Sequence, residues 1–152
     1  MARARGTQIV ARVKLDLPET FLFSTELHVR IGDINYGGHL GNDAVLSLVH
    51  EARLRFLKAY GYSEADIEGV GIIMTDAVVL YKAEGFHGDT LVIDVAVTDI
   101  TRTGCDFVFR LTNKENGKEI ARTKTGIVFF DYSSRQVVGV PQKFRESVAT
   151  DF

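Results

Sequence analysis

From Phe21 to Ile31 the chain alternates apolar and polar positions, with Phe21, Phe23, Leu27, Val29 and Ile31 on one side and Ser24, Glu26, His28 and Arg30 on the other. A period of two predicts a half-buried strand. At Asn42 the period changes. Through Tyr60 the apolar positions Val45, Leu48, Val49, Ala52, Phe56 and Ala59 recur at helical spacing, and Leu46, Leu54 and Leu57 form a second stripe. This predicts a long helix capped by Asn42 or Asp43 and buried on most sides.

Ser63 to Gly69 (SEADIEG) predicts one short helical turn. From Gly71 to Glu84 both alternating sets are apolar, as in a strand covered on both faces. Strands are then expected at Thr90 to Thr101, Cys105 to Thr112 and Glu119 to Tyr132, all four strands from Gly71 onward being hairpin-linked, with Asn116-Gly117 as a turn signal. The tail from Pro141 reads as a turn or short helix. Ahead of all this, residues 1–6 read as a loose basic terminus and the alternating stretch from Thr7 as an edge strand ending at Pro18.

One long apolar helix beside five antiparallel strands places the chain in the α+β class, with the sheet curled around the helix so that the two apolar faces meet. The open sheet edges point to dimerisation through an edge strand. The 152 residues, 45% hydrophobic and 25% charged, fit one globular domain spanning 1–152. A net charge of −2 offers no field for nucleic acid, and no apolar run is long enough to span a bilayer. Cys105 is alone, so no internal disulfide is possible, cytoplasmic folding is expected, and no Cys/His spacing suits a metal. Cys105 itself reads as a small buried side chain.

Four of the 14 glycines (Gly32, Gly37, Gly38 and Gly41) fall between 32 and 41, immediately before the helix. Glycines let the backbone turn sharply, and a helix start leaves up to four N–H groups without partners, so the junction can bind an anion or oxyanion.

The segment Asp33-Ile34-Asn35-Tyr36-Gly37-Gly38-His39-Leu40-Gly41-Asn42, followed by Glu51-Ala52-Arg53, resembles the signature of hotdog-fold thioesterases of the 4-hydroxybenzoyl-CoA thioesterase type. The likeness extends through GFHGDTLVIDV (Gly85 to Val95) and covers about Thr25 to Phe144. It implies a central helix wrapped by a curved antiparallel sheet of five or six strands, a homodimer or homotetramer with the active site between subunits, and hydrolysis of acyl-CoA to free acid and CoA. It implies no cofactor, because CoA is part of the substrate. On this resemblance the N–H near Asn42 is the oxyanion donor, Gly41 and Asp43 flank it, and Gly38 and His39 sit in the substrate-binding turn, His39 in a structural or positioning role.

The resemblance places Asn35 where the family has its catalytic carboxylate, and an amide cannot act as general base. Two acids can take that role. A two-residue shift of the loop aligns Asp33-Ile34-Asn35 with the D-x-N element of the related acyl-carrier-protein thioesterases, making Asp33 the carboxylate and Asn35 its neighbour. Asp43, in the first helical turn, is the second choice. Two rival readings stay open: a non-catalytic acyl-thioester binding module, and a thioesterase acting on acyl carrier protein. The i, i+4, i+7 set Asp43, Ser47 and His50 is not read as a triad, since all three share one straight helix. Glu51 pairs with Arg55 at i+4. Lys82, Arg102, Arg122 and Lys124 are candidates for the CoA phosphates, none singled out.

Overall fold

The computed structural model describes residues 12–149. In chain order they form β1 (Phe23–His28), a 3-10 turn (Ile31–Asp33), α1 (Asn42–Ala59), β2 (Gly71–Tyr81), β3 (Thr90–Thr98), β4 (Gly104–Asn113), β5 (Glu119–Asp131), β6 (Gln136–Val137) and α2 (Gln142–Val148). The sheet is antiparallel and runs β1-β3-β4-β5-β2, with β6 also paired to β5. The α+β arrangement expected from the sequence is therefore present, with a sixth, two-residue strand.

The register explains the core. Pairing sets Ile93 against Leu111, Val95 against Phe109 and Val97 against Phe107, and β5 continues these rows with Ala121, Thr123 and Thr125. All of them are buried on the face turned to α1. The helix answers with Val45, Leu48, Val49, Ala52 and Phe56. Phe56 is at the centre, with ring centroids 5.9 Å from Phe23, 4.9 Å from Tyr60 and 5.8 Å from Phe107. The outer face alternates in charge instead: Arg110 bonds Asp94, Arg122 bonds Glu119, and Lys124 reaches Asp99 and Asp106.

Several expectations are corrected. The edge strand expected up to Pro18 lies outside the described residues as far as residue 11. From Arg12 to Leu22 the chain is irregular and crosses the outer sheet face, where Arg122 Nη1 donates to the Leu15 carbonyl at 2.9 Å and Arg110 lies over the Phe21 ring. β1 already occupies the free edge of β3, and Pro18 has no N–H to extend a ladder. Residues 1–6 also lie outside the described residues. Ile31 leaves the strand face for the 3-10 turn and is 72% exposed.

The helix starts where expected, but its N-cap is Gly41, in extended conformation, rather than Asn42 or Asp43. Leu46 and Leu54 are exposed, because the sheet wraps only one side of α1. Ser63 to Gly69 contains no helical turn. Two tight turns close at Ser63/Asp66 and Ile67/Val70, and Glu68 and Gly69 both take positive φ, the pattern of a primed turn. β2 is not covered on both faces: it is the edge strand beside β5, exposed from Met74 to Ala77, with a bulge between Met74 and Asp76. Nor is it hairpin-linked to β3, since β4 and β5 lie between them.

Cys105 is buried, and desolvation pushes its thiol up to about 12, so it is inert near neutral pH. Phe56→Ala empties the centre of the core. We expect a loss of about 3–5 kcal/mol in urea unfolding with unchanged β-sheet content at low denaturant, and a loss under 1 kcal/mol would contradict this packing.

Candidate active site

The glycine-rich segment folds back on itself as a compact turn ahead of α1. Asn35 N donates to His39 O at 2.8 Å and Gly38 N to Asn35 O at 3.1 Å, while the Asn35 side-chain oxygen accepts from Gly37 N at 2.9 Å and His39 N at 3.3 Å. This is a turn organised by its own amide side chain. Gly38 needs its glycine, with φ +85°. The turn is seated on the loop before β3: Leu40 N donates to Gly85 O at 2.7 Å, and the His39 ring meets Phe86 edge-on.

Gly41 is where the pieces converge. Its N–H donates to Asp33 O at 2.9 Å. A Cβ placed on it would stand 2.8 Å from Asp43 Oδ1, 3.5 Å from Asn35 Cβ and 3.5 Å from Asp33 O. The turn thus brings together the Asp33 backbone, Asn35, Gly41 and the Asp43 carboxylate. No side chain caps α1, and among the described residues no hydrogen bond outside the helix takes up the N–H of Asn42, Asp43 or Ala44. Those groups carry the positive end of the helix dipole.

The two candidate acids differ sharply. Asp33 is buried, and its carboxylate is taken up by Arg30: Oδ2 accepts from Arg30 N at 2.8 Å, and the Arg30 guanidinium lies 3.5 Å from both oxygens. Asp43 is exposed on the first turn of α1.

Ser47 and His50 do not meet, because His50 Nε2 is 3.2 Å from Glu64, which also accepts from the buried Arg53 at 2.7 Å. Glu51 and Arg55 pair as expected, at 3.0 Å. Arg122 and Lys124 are engaged in ion pairs on the outer sheet face, far from α1 in the fold's layering, whereas Lys82 and Arg102 are exposed. A groove of about 530 Å³ opens between β1 and α1, lined by Leu27, His28, Arg30, Ser47, Leu48 and His50 among others.

Sequence reasoning missed Tyr81. At the end of β2, its hydroxyl donates to Asn42 O at 3.0 Å. Desolvation, and after it the charge of Asp43, hold that hydroxyl above its ordinary pKa of 10. As the last residue of an apolar strand 39 positions downstream, it carried no local signal.

With this geometry in place, comparison with known families is decisive. The sequence pattern of the thioesterase-like superfamily matches residues 29–148. The chain belongs to that superfamily. Membership supports thioester hydrolysis as the general chemistry of the chain. Solved structures agree on the fold. A 1,4-dihydroxy-2-naphthoyl-CoA thioesterase from Synechocystis is 20% identical with a TM-score of 0.76, covering 83% of this chain and 94% of its own. A thioesterase superfamily protein from a Jannaschia species is 22% identical with a TM-score of 0.78, over 88% of this chain and 84% of its own. A gentisyl-coenzyme A thioesterase is 18% identical with a TM-score of 0.74, over 84% and 100%. A comparison with curated proteins finds no match.

Because the contact at Gly41 is with the tip of a flexible side chain, Gly41→Ala displaces the Asp43 carboxylate rather than the backbone. Thioester turnover should fall at least about tenfold while Tm moves by no more than about 2–4 °C, the equivalent of roughly 1 kcal/mol at this size. Unchanged turnover would show that the position of Asp43 is immaterial.

Proposed function

We propose that this protein hydrolyses acyl-CoA thioesters to free acid and CoA. The observation that carries the reading is the uncapped start of α1 with the Asp43 carboxylate laid over Gly41. The N–H groups of Asn42 and Asp43 hold the thioester oxygen as it becomes an oxyanion. Asp43 takes a proton from water as the water oxygen bonds to the carbonyl carbon. The tetrahedral intermediate collapses, the C–S bond breaks, and the leaving thiolate receives the proton that Asp43 took from water.

Asp43 is placed ahead of Asp33 because Asp33 is already bonded to the Arg30 backbone and guanidinium, a role that stabilises the turn. The Asn35 side-chain oxygen serves the turn, which leaves its NH₂ to orient the water or the acyl carbonyl. Gly38 and His39 border the approach of the substrate, and the groove between β1 and α1 offers room for a ligand extending from the turn. The proposed chemistry uses no metal and no cofactor, CoA being part of the substrate: a carboxylate and backbone dipoles carry it. The protein works as a cytoplasmic homodimer or homotetramer. The exposed Ile31, Tyr36, Tyr81 and Phe86 around the turn support a covering subunit.

The test is CoA release from a panel of acyl-CoAs by the wild type and by Asp43→Asn, Asp33→Asn and Asn35→Asp. We expect wild-type turnover, a drop of about 10²–10⁴ in kcat for Asp43→Asn, and for Asp33→Asn a loss of Tm rather than of kcat. Loss of kcat in Asp33→Asn alone would exchange the roles of the two acids. Asn35 standing at the family's carboxylate position favours a second reading, an acyl-thioester binding module. It would be recognised by a rise in Tm with acyl-CoA and no release of CoA. Release from acyl carrier protein alone would identify a carrier-directed enzyme.

A further inference from the structure

Tyr81 does more than end a strand. Its backbone is fixed by pairing with Ala121 on β5, and the two residues after it donate their N–H groups to Ile120 O at 2.8 and 3.2 Å. The ring is half exposed, so core packing does not account for its placement. From this anchored position the hydroxyl donates to the Asn42 carbonyl at 3.0 Å.

The Asn42 carbonyl and the Asp43 N–H are the two ends of one planar peptide unit. A hydrogen bond donated to the carbonyl end holds the plane and polarises the amide, which makes the N–H at the other end a stronger donor. That N–H lies at the uncapped start of α1.

We propose that Tyr81 is a positioning residue for the thioester hydrolysis described above, aiming and strengthening the Asp43 N–H toward the substrate oxygen through the Asn42–Asp43 peptide. The proposal rests on the acyl-CoA hydrolase reading. Tyr81 is not itself in contact with the reacting atoms in this scheme. Desolvation, and after it the neighbouring Asp43 charge, raise the pKa of the hydroxyl and so keep it protonated, hence a donor, across the neutral range. β2 is thereby tied to the helix start, so an element far away in sequence tunes the oxyanion donor.

The expected size follows from two general magnitudes. One oxyanion donor is worth about 10²–10³ in rate, and cooperative strengthening adds about 10–30% to a hydrogen bond. Tyr81→Phe, which deletes only the hydroxyl, should lower kcat about two- to eightfold with KM unchanged. In the free protein the Asp43 amide proton should shift upfield, a readout that needs no substrate. Replacement of Tyr81 by 3,5-difluorotyrosine, a stronger donor at pH 6, should raise kcat above that of the wild type.

Unchanged kcat in Tyr81→Phe, or a change confined to KM, would overturn the proposal while leaving the hydrolase reading intact. Difluorotyrosine no faster than Phe would overturn it as well, by assigning Tyr81 a structural role. A wild type inactive on every thioester would overturn the hydrolase reading and this proposal with it.

Discussion

The chain approaches itself closely at Gly41, and the placement of the Asp43 carboxylate depends on there being no side chain at that point. The Asp33 carbonyl, the Asn35 side chain and the Asp43 carboxylate all lie within 3.5 Å of where a Cβ would stand. With the cap position occupied by glycine, α1 begins without a side chain satisfying its N–H groups. An ordinary Ser or Asp cap would contribute about a few tenths of a kcal/mol over glycine. The chain forgoes that contribution and leaves the positive end of the helix open, as an oxyanion site requires.

Around this point the two acids divide their work according to surroundings. Asp33 is the buried member of a closed arrangement with Arg30, and drawing its carboxylate out would leave an unpaired backbone N–H. A hydrogen bond to a charged group is worth about 1.5–3 kcal/mol, which corresponds to roughly ten- to a hundredfold in rate. Asp43 carries no such cost, since it already lies at the surface beside the free N–H groups. Asn35 makes the same point from the other side. An acid there would place a negative charge against two backbone N–H groups that the amide oxygen already satisfies.

Much of the fold was legible because its elements carry clean periods. The alternation in β1 and the helical stripe of α1 translate directly into buried faces. Failures came where a period was real but its environment was set elsewhere. The apolar residues of β2 read as covered on both faces, yet whether an edge strand is covered depends on neighbours the sequence does not name. Leu46 and Leu54 misled for the same reason. Ser63 to Gly69 has helix-start chemistry, but two successive positive-φ residues decide for tight turns. At the site, the glycine turn was visible as composition and as a motif. The partnership of Asp33 with Arg30, which changes the order of the two acids, was not, because three-residue spacing alone does not reveal which way a carboxylate turns. Tyr81 was invisible, since its partner Asn42 is brought to it only by the β2–β5 pairing and the placement of α1 across the sheet.

The claim that the start of α1 is where the thioester oxygen is held is tested most directly by a crystal structure with a dethia acyl-CoA, in which a CH₂ replaces sulfur and the carbonyl is retained. The account predicts the ketone oxygen about 2.7–3.1 Å from the Asn42 or Asp43 nitrogen, with the Asp43 carboxylate beside the carbonyl carbon. A ketone oxygen bound away from α1, or a carbonyl carbon lying against a reoriented Asp33, would contradict it.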